Sequence, residues 1–563
     1  MKQKLSSIAL ILAVLIVAGF GCKFLFDSSK SLPDEESGNF NLISEPKNEN
    51  DKFRDAIVNF IRSAAEGYFS EQLVQHPEEL KIEGDWKVQI AAYSNGEIRG
   101  TGNSENDILS LALEEAAQKS VKGGLAEKDL KNVRFKVDFL RPLQYPFSFI
   151  EYNGEGKELI LDMAPVRYLD KGLISEKINQ GKEFLLRAID EETGGFHKKY
   201  YALKDYYEDR VHSVYSASII YTFLYIYDFE KDKALLENLS DWGEFLLFMQ
   251  NRNEGDRRYG AFHYSYFADA EEREESFPIG TSALNIFTLL RMYKITGENK
   301  YLEASRLAGD WLITMQRPDG TMKPYTEKKG EKWVYGIKES LLYEGQTLSS
   351  LSKLYAITED QRYYDAAEKL ANRFAQKYED AQGYVVGEYR TENPISNSWV
   401  VMSLMDFYKI SGDSRYKKVV FELSSLILDN QVTDENDLLN HGRWEGAYST
   451  SGIGWISEVM TDTYAFCLEE GRNDCEKYKE AVVRGIRWII QSTYTKENSF
   501  LLKNPENAVG GIFWNKDNRY VRTDSICHGL NAYTRIFKYL EDELLISIPE
   551  KSLEEILEDF LIE

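Results

Sequence analysis

From about residue 172 onward, apolar residues recur at helical spacing in a sequence that keeps restarting. In NKYLEASRLAGDWLITMQ, residues 299–316, Tyr301, Ala304, Ala308, Trp311, Leu312 and Met315 fall on one face, which predicts an amphipathic helix. QRYYDAAEKLANRFAQKY (361–378) and SRYKKVVFELSSLILDN (414–430) repeat the pattern, and similar segments lie near 175–190, 235–250 and 475–492. Each is followed by a turn-rich connector carrying glycine and aromatics: GGFHKKYY, YGAFHYSYF, DGTMKPYTE, GYVVGEYR, HGRWEGAYS and GGIFWNKDNRY. A second helix then begins, near His212, Thr281, Glu344, Ser396, Ser457 and Asp524 in turn. Helix pairs that cannot bury their faces singly must stack on neighbours. Six pairs closed into a ring leave no open end, so the pattern predicts a mainly α chain whose residues 172–545 form an (α/α)6 toroid of six inner and six outer helices. The connectors then line one mouth, at the N-termini of the inner helices. Residues 546–563 are acidic and predict a C-terminal helix.

Residues 51–165 follow another rule. DWKVQIAAYSNGEIRGTGNSENDILSLALEEAAQKSV is strand-like and then helix-like, and VRFKVDFLRPLQYPFSFI returns to strand, which predicts a small α+β module. Ahead of it, residues 27–50 are rich in Ser, Asn, Glu and Pro and read as a flexible tether. The first 26 residues hold a basic start, MKQK, and LSSIALILAVLIVAGFG (5–21) without a charge, then Cys22. That pattern predicts a signal peptide, a lipoprotein signal with Cys22 as the lipidated residue, or an uncleaved membrane anchor. Each places the body of the protein outside the cytoplasm, tied to the cell membrane in the latter two.

Composition narrows the partners. A net charge of −24 supplies no basic excess to displace counterions from a phosphate backbone, which argues against nucleic acid. Besides Cys22, the cysteines are Cys467, Cys475 and Cys527; CLEEGRNDC reads either as a small disulfide across a helix–helix turn or as two partly buried thiols.

The repeat resembles the six-hairpin glycosidase and terpenoid-cyclase-like toroids over about 370 residues, a resemblance that implies architecture and leaves hydrolases, lyases, epimerases, cyclases and prenyltransferases open. Through Asn95-Gly96-Glu97-Ile98-Arg99-Gly100, the module resembles a divergent AMME-chromosomal-region domain, with Thr101-Gly102 where the relatives carry a cysteine. Together the two parts resemble a group of envelope proteins whose toroids carry Tyr-Pro-Gly-Glu and Arg-x-Asp-x-x-x-His elements. Here the first reads Tyr343-Glu344-Gly345-Gln346, with an amide at its last position, and the second is kept as Arg522, Asp524 and His528.

The residues that carry chemistry cluster in RTDSICHGLNAYTRIF (522–537). Asp524, His528, Asn531 and Arg535 share one helical face, so Asp524 is expected to orient His528 as an acid–base pair. Cys527-His528-Gly529 resembles the zinc element of lanthionine synthetase cyclases, but adjacent helical residues diverge and no further cysteine stands near the start of the preceding inner helix, so no metal is expected. Glu458 and Asp462, spaced i, i+4, and Glu344 are the other candidate carboxylates; Glu458 and Glu344 join Asp524 and His528 as candidate catalytic residues. Arg522, Arg443, Trp444, Glu445, Tyr389, Arg390, His212, Asp462 and Gln346 are candidate substrate contacts, as clamps, stacking rings and polar ligands. Carboxylates around a cavity suit glycoside hydrolysis, and a histidine base suits a lyase or an epimerase. No phosphate loop or dinucleotide fingerprint appears, so no cofactor is expected. A membrane-tethered carbohydrate-active toroid is therefore expected, with a non-catalytic glycan- or peptide-binding envelope protein as the alternative.

Overall fold

The computed structural model describes residues 49–549, apart from 71, 95–96, 140–147, 152–158, 162–165, 232, 390–392, 497, 500–501 and 516–517. The expected signal or anchor, Cys22, nearly all of the tether and residues 551–563 lie outside the described residues. Helix α1 (Glu49–Ser70) takes up the last two positions of the expected tether. Among the described residues no helix is long and apolar enough to cross a membrane.

The module is one antiparallel sheet in the order β2-β1-β3-β4-β5, built from β1 (Glu83–Ser94), β2 (Glu97–Ile108), β3 (Arg134–Phe139), β4 (Ser148–Glu151) and β5 (Leu159–Leu161). Alternate residues Val88, Ile90, Ala92, Phe135 and Val137 point into a core shared with α1 and α2 (Leu109–Val121). The Arg99–Gly102 element is part of this packing. A Cβ at Gly100 would lie 2.1 Å from Ser120 O and one at Gly102 2.0 Å from Ala116 O, so both glycines let α2 lie directly on β2.

The toroid follows. Its outer helices are α3 (Lys171–Arg187), α5 (Leu239–Phe248), α7 (Asn299–Thr314), α9 (Gln361–Ala381), α11 (Ser414–Leu428) and α13 (Glu476–Gln491). Its inner helices are α4 (Ser213–Glu230), α6 (Ile279–Thr296), α8 (Leu341–Thr358), α10 (Asn393–Ser411), α12 (Thr450–Glu469) and α14 (Thr523–Phe537). Inner helices contact one another in chain order, and α14 returns to α4, so the ring is closed. The junctions ITEDQR and ISGDSR end the preceding inner helix and cap the next outer one: Asp360 accepts from Arg362 N (3.0 Å) and Asp413 from Arg415 N (2.9 Å).

Closure is reinforced where the first and last segments of the toroid meet. Residues Tyr168–Asp170 pair antiparallel with Leu544–Ser547, so the helix expected from residue 546 begins instead as a strand. Arg487, fully buried on α13, donates to Val166 O (2.6 Å), His441 O (2.7 Å) and Leu438 O (2.8 Å), tying the toroid's first residues to its fifth connector. Cys467 and Cys475 form a disulfide between the end of α12 and the residue preceding α13.

Two side-chain devices recur around the ring. A glutamine after an outer helix donates to a connector carbonyl and to the next outer helix: Gln250 to Gly260 O and Ala304 O, Gln316 to Gly320 O and Ala366 O, Gln431 to Gly442 O and Ala481 O. In the first turn of four inner helices, a side chain accepts a connector N–H: Ser216 from Phe196, Ser282 from Phe262, Glu344 from Met322, Asn397 from Val385. Each buried bond contributes about 1 kcal/mol, and both sets fix the connectors that form the mouth.

Candidate active site

The inner helices enclose a cavity of about 580 Å³ that opens among the connectors. Its most polar wall is the seam between α12 and α14. Ser449 caps α12 by accepting from Gly452 N (3.2 Å), so this helix starts at Thr450, seven residues before the expected Ser457. Glu458 therefore sits two turns below the mouth. Gly454 lets the helices approach: a Cβ there would lie 2.9 Å from His528 Cβ and 3.1 Å from Gly529 N.

One turn further along α12, Glu458 is the hub of the wall. Its Oε2 lies 3.0 Å from His528 Nδ1, and its Oε1 accepts from Arg535 Nη1 (3.0 Å) and Asn531 Nδ2 (3.2 Å). Arg535 also pairs with Asp462, one turn below. With Nδ1–H donating to the carboxylate, Nε2 is the basic nitrogen of an imidazole whose side chain is 20% exposed in the cavity wall.

Asp524 has a different partner from the one expected. No Asp524–His528 hydrogen bond forms; Arg522 folds back from the extended position just before α14 and grips Asp524 through Nε to Oδ1 (2.9 Å) and Nη2 to Oδ2 (2.5 Å). Ser451 adds 2.9 Å to Oδ2, and Arg522 also donates to Tyr215 Oη (2.8 Å). Burial would raise the Asp524 pKa, but attraction to Arg522 and His528 with the hydrogen bonds from Arg522 and Ser451 outweighs it and holds the carboxyl below its usual range.

Aromatic rings complete the wall. Trp399 stacks on Trp455 at 3.6 Å between centroids and 16° between planes, and Trp455 meets the His528 ring edge-on at 5.2 Å. The Arg522 guanidinium lies 4.2 Å from the Trp514 centroid. Lys198, from the first connector, stands at the mouth with its ammonium 5.1 Å from the Tyr215 centroid and 6.0 Å from that of Tyr264. Burial and the neighbouring Arg522 charge bring its pKa down to about 8.

Of the residues expected from sequence, Asp524, His528, Glu458, Asp462, Arg522 and Gln346 line this cavity. The others described do not. Glu344 points behind the wall, where its Oε1 accepts Met322 N (2.9 Å) in the place held elsewhere by serine or asparagine. Burial and the charge of Glu339, opposed by that N–H and by Arg373 and Lys377, push its pKa up to about 8. Trp444 is fully buried against α13 and presents no face to a sugar. Arg443 and the exposed Glu445 lie on the same connector away from the cavity, as does Tyr389 on the fourth. His212 is fully buried, edge-on to Tyr215 and Tyr264, with its pKa pushed down to about 4 by burial despite nearby Glu208. Arg390 lies outside the described residues. Cys527 lines the cavity but is 1% exposed, and burial raises its pKa. Among the described residues no group of three His, Cys, Asp or Glu is placed to hold a metal.

Solved structures share the arrangement of the helices. Cellobiose 2-epimerase from Bacillus thermoamylovorans B4167 superposes with a TM-score of 0.52 at 14% identity, over 66% of this chain and 100% of that one. A sugar epimerase from a ruminal bacterium gives 0.50 at 12%, over 66% and 99%. The toroid has the six-hairpin glycosidase fold. A sequence model of glycosyl hydrolase family 76 matches residues 281–399 of this six-hairpin toroid, from α6 into α10. No curated protein matches the sequence.

The sequence did not single out Lys198, and while it offered Trp399 and Trp455 as rings for stacking on a sugar, it did not foresee that they stack on each other. A signal for Lys198 was present in the connector GGFHKKYY, where two lysines stand among aromatic rings.

Proposed function

We propose that the toroid is a carbohydrate-modifying enzyme that works by proton transfer through His528, of the epimerase or isomerase kind. The observation that carries this reading is the His528–Glu458 pair in an aromatic-walled cavity. Hydrolysis by paired carboxyl groups needs one of them protonated near neutral pH. Among the described carboxylates of the cavity, Asp524 is held below its usual range, Glu458 is committed to three donors, and Asp462 and Asp406 are paired with Arg535 and Lys353. The carboxyl pushed up to about 8, Glu344, lies behind the wall. The imidazole is then the group placed to move protons. In an open-chain sugar, Nε2 takes the proton from the carbon beside the carbonyl and leaves an enediolate. Return of that proton to the neighbouring carbon, with the hydroxyl proton passing to the former carbonyl oxygen, moves the carbonyl. Return to the first carbon, after the enediolate has turned its other face to the imidazole, inverts it. Glu458 stabilises the imidazolium in between. Trp514 supplies a ring for the sugar to lie against, and Arg522 is placed near its oxygens. The names of the two solved structures above, both sugar epimerases, agree with this reading.

The test incubates the purified protein with a panel of mono- and disaccharides, once in deuterium oxide and once in heavy-oxygen water. Deuterium on a sugar carbon with no bond cleaved is expected. Heavy oxygen at a new reducing end would replace this reading with hydrolysis, and a product lighter by one water with elimination.

We further propose that the protein is tethered outside the cytoplasm, supported by the apolar run 5–21 and by the Cys467–Cys475 disulfide, a bond favoured in oxidising compartments. Digestion of the toroid by protease added to intact spheroplasts is the expected result; full protection would overturn it.

A further inference from the structure

The charges in the cavity do not balance locally, and the imbalance sits at the mouth. Among the described residues the cavity presents four carboxylates, and each meets a cation: Asp524 pairs with Arg522, Glu458 and Asp462 with Arg535, and Asp406 with Lys353. Lys198 and Lys409 remain, in ion pairs with none of them. Lys409 is exposed at the floor of the cavity. Lys198 is half-buried at the mouth, close to the Asp524–Arg522 pair, with its ammonium over the rings of Tyr215 and Tyr264. Its backbone is fixed, because Lys198 O accepts from Thr523 N (3.0 Å) at the start of α14.

Resting on the reading of the cavity as a sugar site, we infer that the substrate is an anionic sugar and that the Lys198 ammonium receives its acidic group. A protein of net charge −24 repels anions at long range. A cation held at the mouth without a carboxylate partner is the local feature that would reverse this for one ligand. Arg522 is less suited to the role, since its charge is already paired with Asp524 through Nε and Nη2. The groups that act on Lys198 are Arg522, which disfavours its charge together with burial and Lys199, and Glu208 and Asp524, which favour it. The uncharged rings facing it are Tyr215 and Tyr264, and the neutral His212 lies behind them. An anion on the ammonium adds a direct favourable partner to these longer-range ones. Such a ligand raises the lysine pKa, and binding near pH 8 takes up a proton.

The test measures binding rather than turnover. D-Glucose, D-glucuronate and D-glucose 6-phosphate, which differ at a single carbon, are titrated calorimetrically into the full-length protein at low salt and pH 7. At least one of the two anions is expected to bind about tenfold tighter than glucose, in line with a charge-assisted contact, and which of them does so separates carboxylate from phosphate. Lys198→Met should remove the preference, leaving glucose binding within about twofold, and Lys198→Arg should keep it. Equal binding of all three, no binding of any, or a preference that survives Lys198→Met overturns the inference. Deuterium incorporation into neutral sugars without an anion preference would refute this inference and leave the proton-transfer reading standing. A lysine-dependent preference without incorporation would do the reverse.

Discussion

Replacing Glu344 by glutamine tests the assignment of this residue to the scaffold. Glu344 is 1% exposed, its Oε1 accepts the Met322 N–H, and its Oε2 is buried without a hydrogen bond. With its pKa pushed up to about 8 from a usual 4.5, the folded protein keeps a proton there that the unfolded chain has already released. Stability must therefore fall as pH rises from about 4.5 towards about 8. At about 1.4 kcal/mol per pH unit the shift sets a ceiling of about 5 kcal/mol. The charge of Glu339 and the opposing Arg373 and Lys377 are already part of that shift, so the ceiling is an upper bound and a loss of a few kcal/mol is expected. Glutamine is the neutral isostere of the protonated acid and keeps the acceptor for Met322. Glu344→Gln should match the wild type at pH 5 and exceed it at pH 8.5 by that margin, read from guanidinium unfolding of the toroid at both pH values. Parallel pH profiles, or a variant less stable at both, would refute the protonated-carboxyl account.

Three further outcomes follow from the same geometry. Arg487→Leu strands the carbonyls of Val166, Leu438 and His441 and should lower toroid stability by about 3 kcal/mol, measured by chemical denaturation. Glu458→Gln leaves the fold intact but removes the charge that supports imidazolium formation, and should reduce turnover about 100-fold or more with little change in sugar binding. Asp524→Asn should loosen Arg522 from its grip and weaken sugar binding more than it slows the chemistry, a KM effect larger than the kcat effect.

The ring was readable in the sequence because its signal is redundant. Six amphipathic segments with the same connector grammar point to one architecture even where a single boundary is wrong. Polar spacing on α14 likewise placed His528, Asn531 and Arg535 on a cavity face. What spacing could not supply was the partner across the seam. The i, i+4 rule favoured Asp524 for His528, whereas Arg522 draws Asp524 away and Glu458, seventy positions earlier on α12, reaches His528 instead. That contact depends on where α12 begins, and Gly452 and Gly454 weaken the helical signal there although Ser449 caps it. Glu344 misled because a carboxylate at an inner-helix start resembles a catalytic group. Aligning the repeats on one another sets it beside Ser216, Ser282 and Asn397, where its structural task is visible. The mouth cation escaped notice because a lysine in a connector carries no periodicity at all.

The central claim is that His528, held by Glu458, moves the proton. It is tested most directly by following deuterium from solvent into a turned-over sugar with wild type, His528→Ala and His528→Gln at equal concentrations. The account predicts one deuterium on the carbon beside the carbonyl with wild type, and a rate lower by at least about 100-fold in both variants while sugar binding persists. Incorporation that continues undiminished without the imidazole would contradict it.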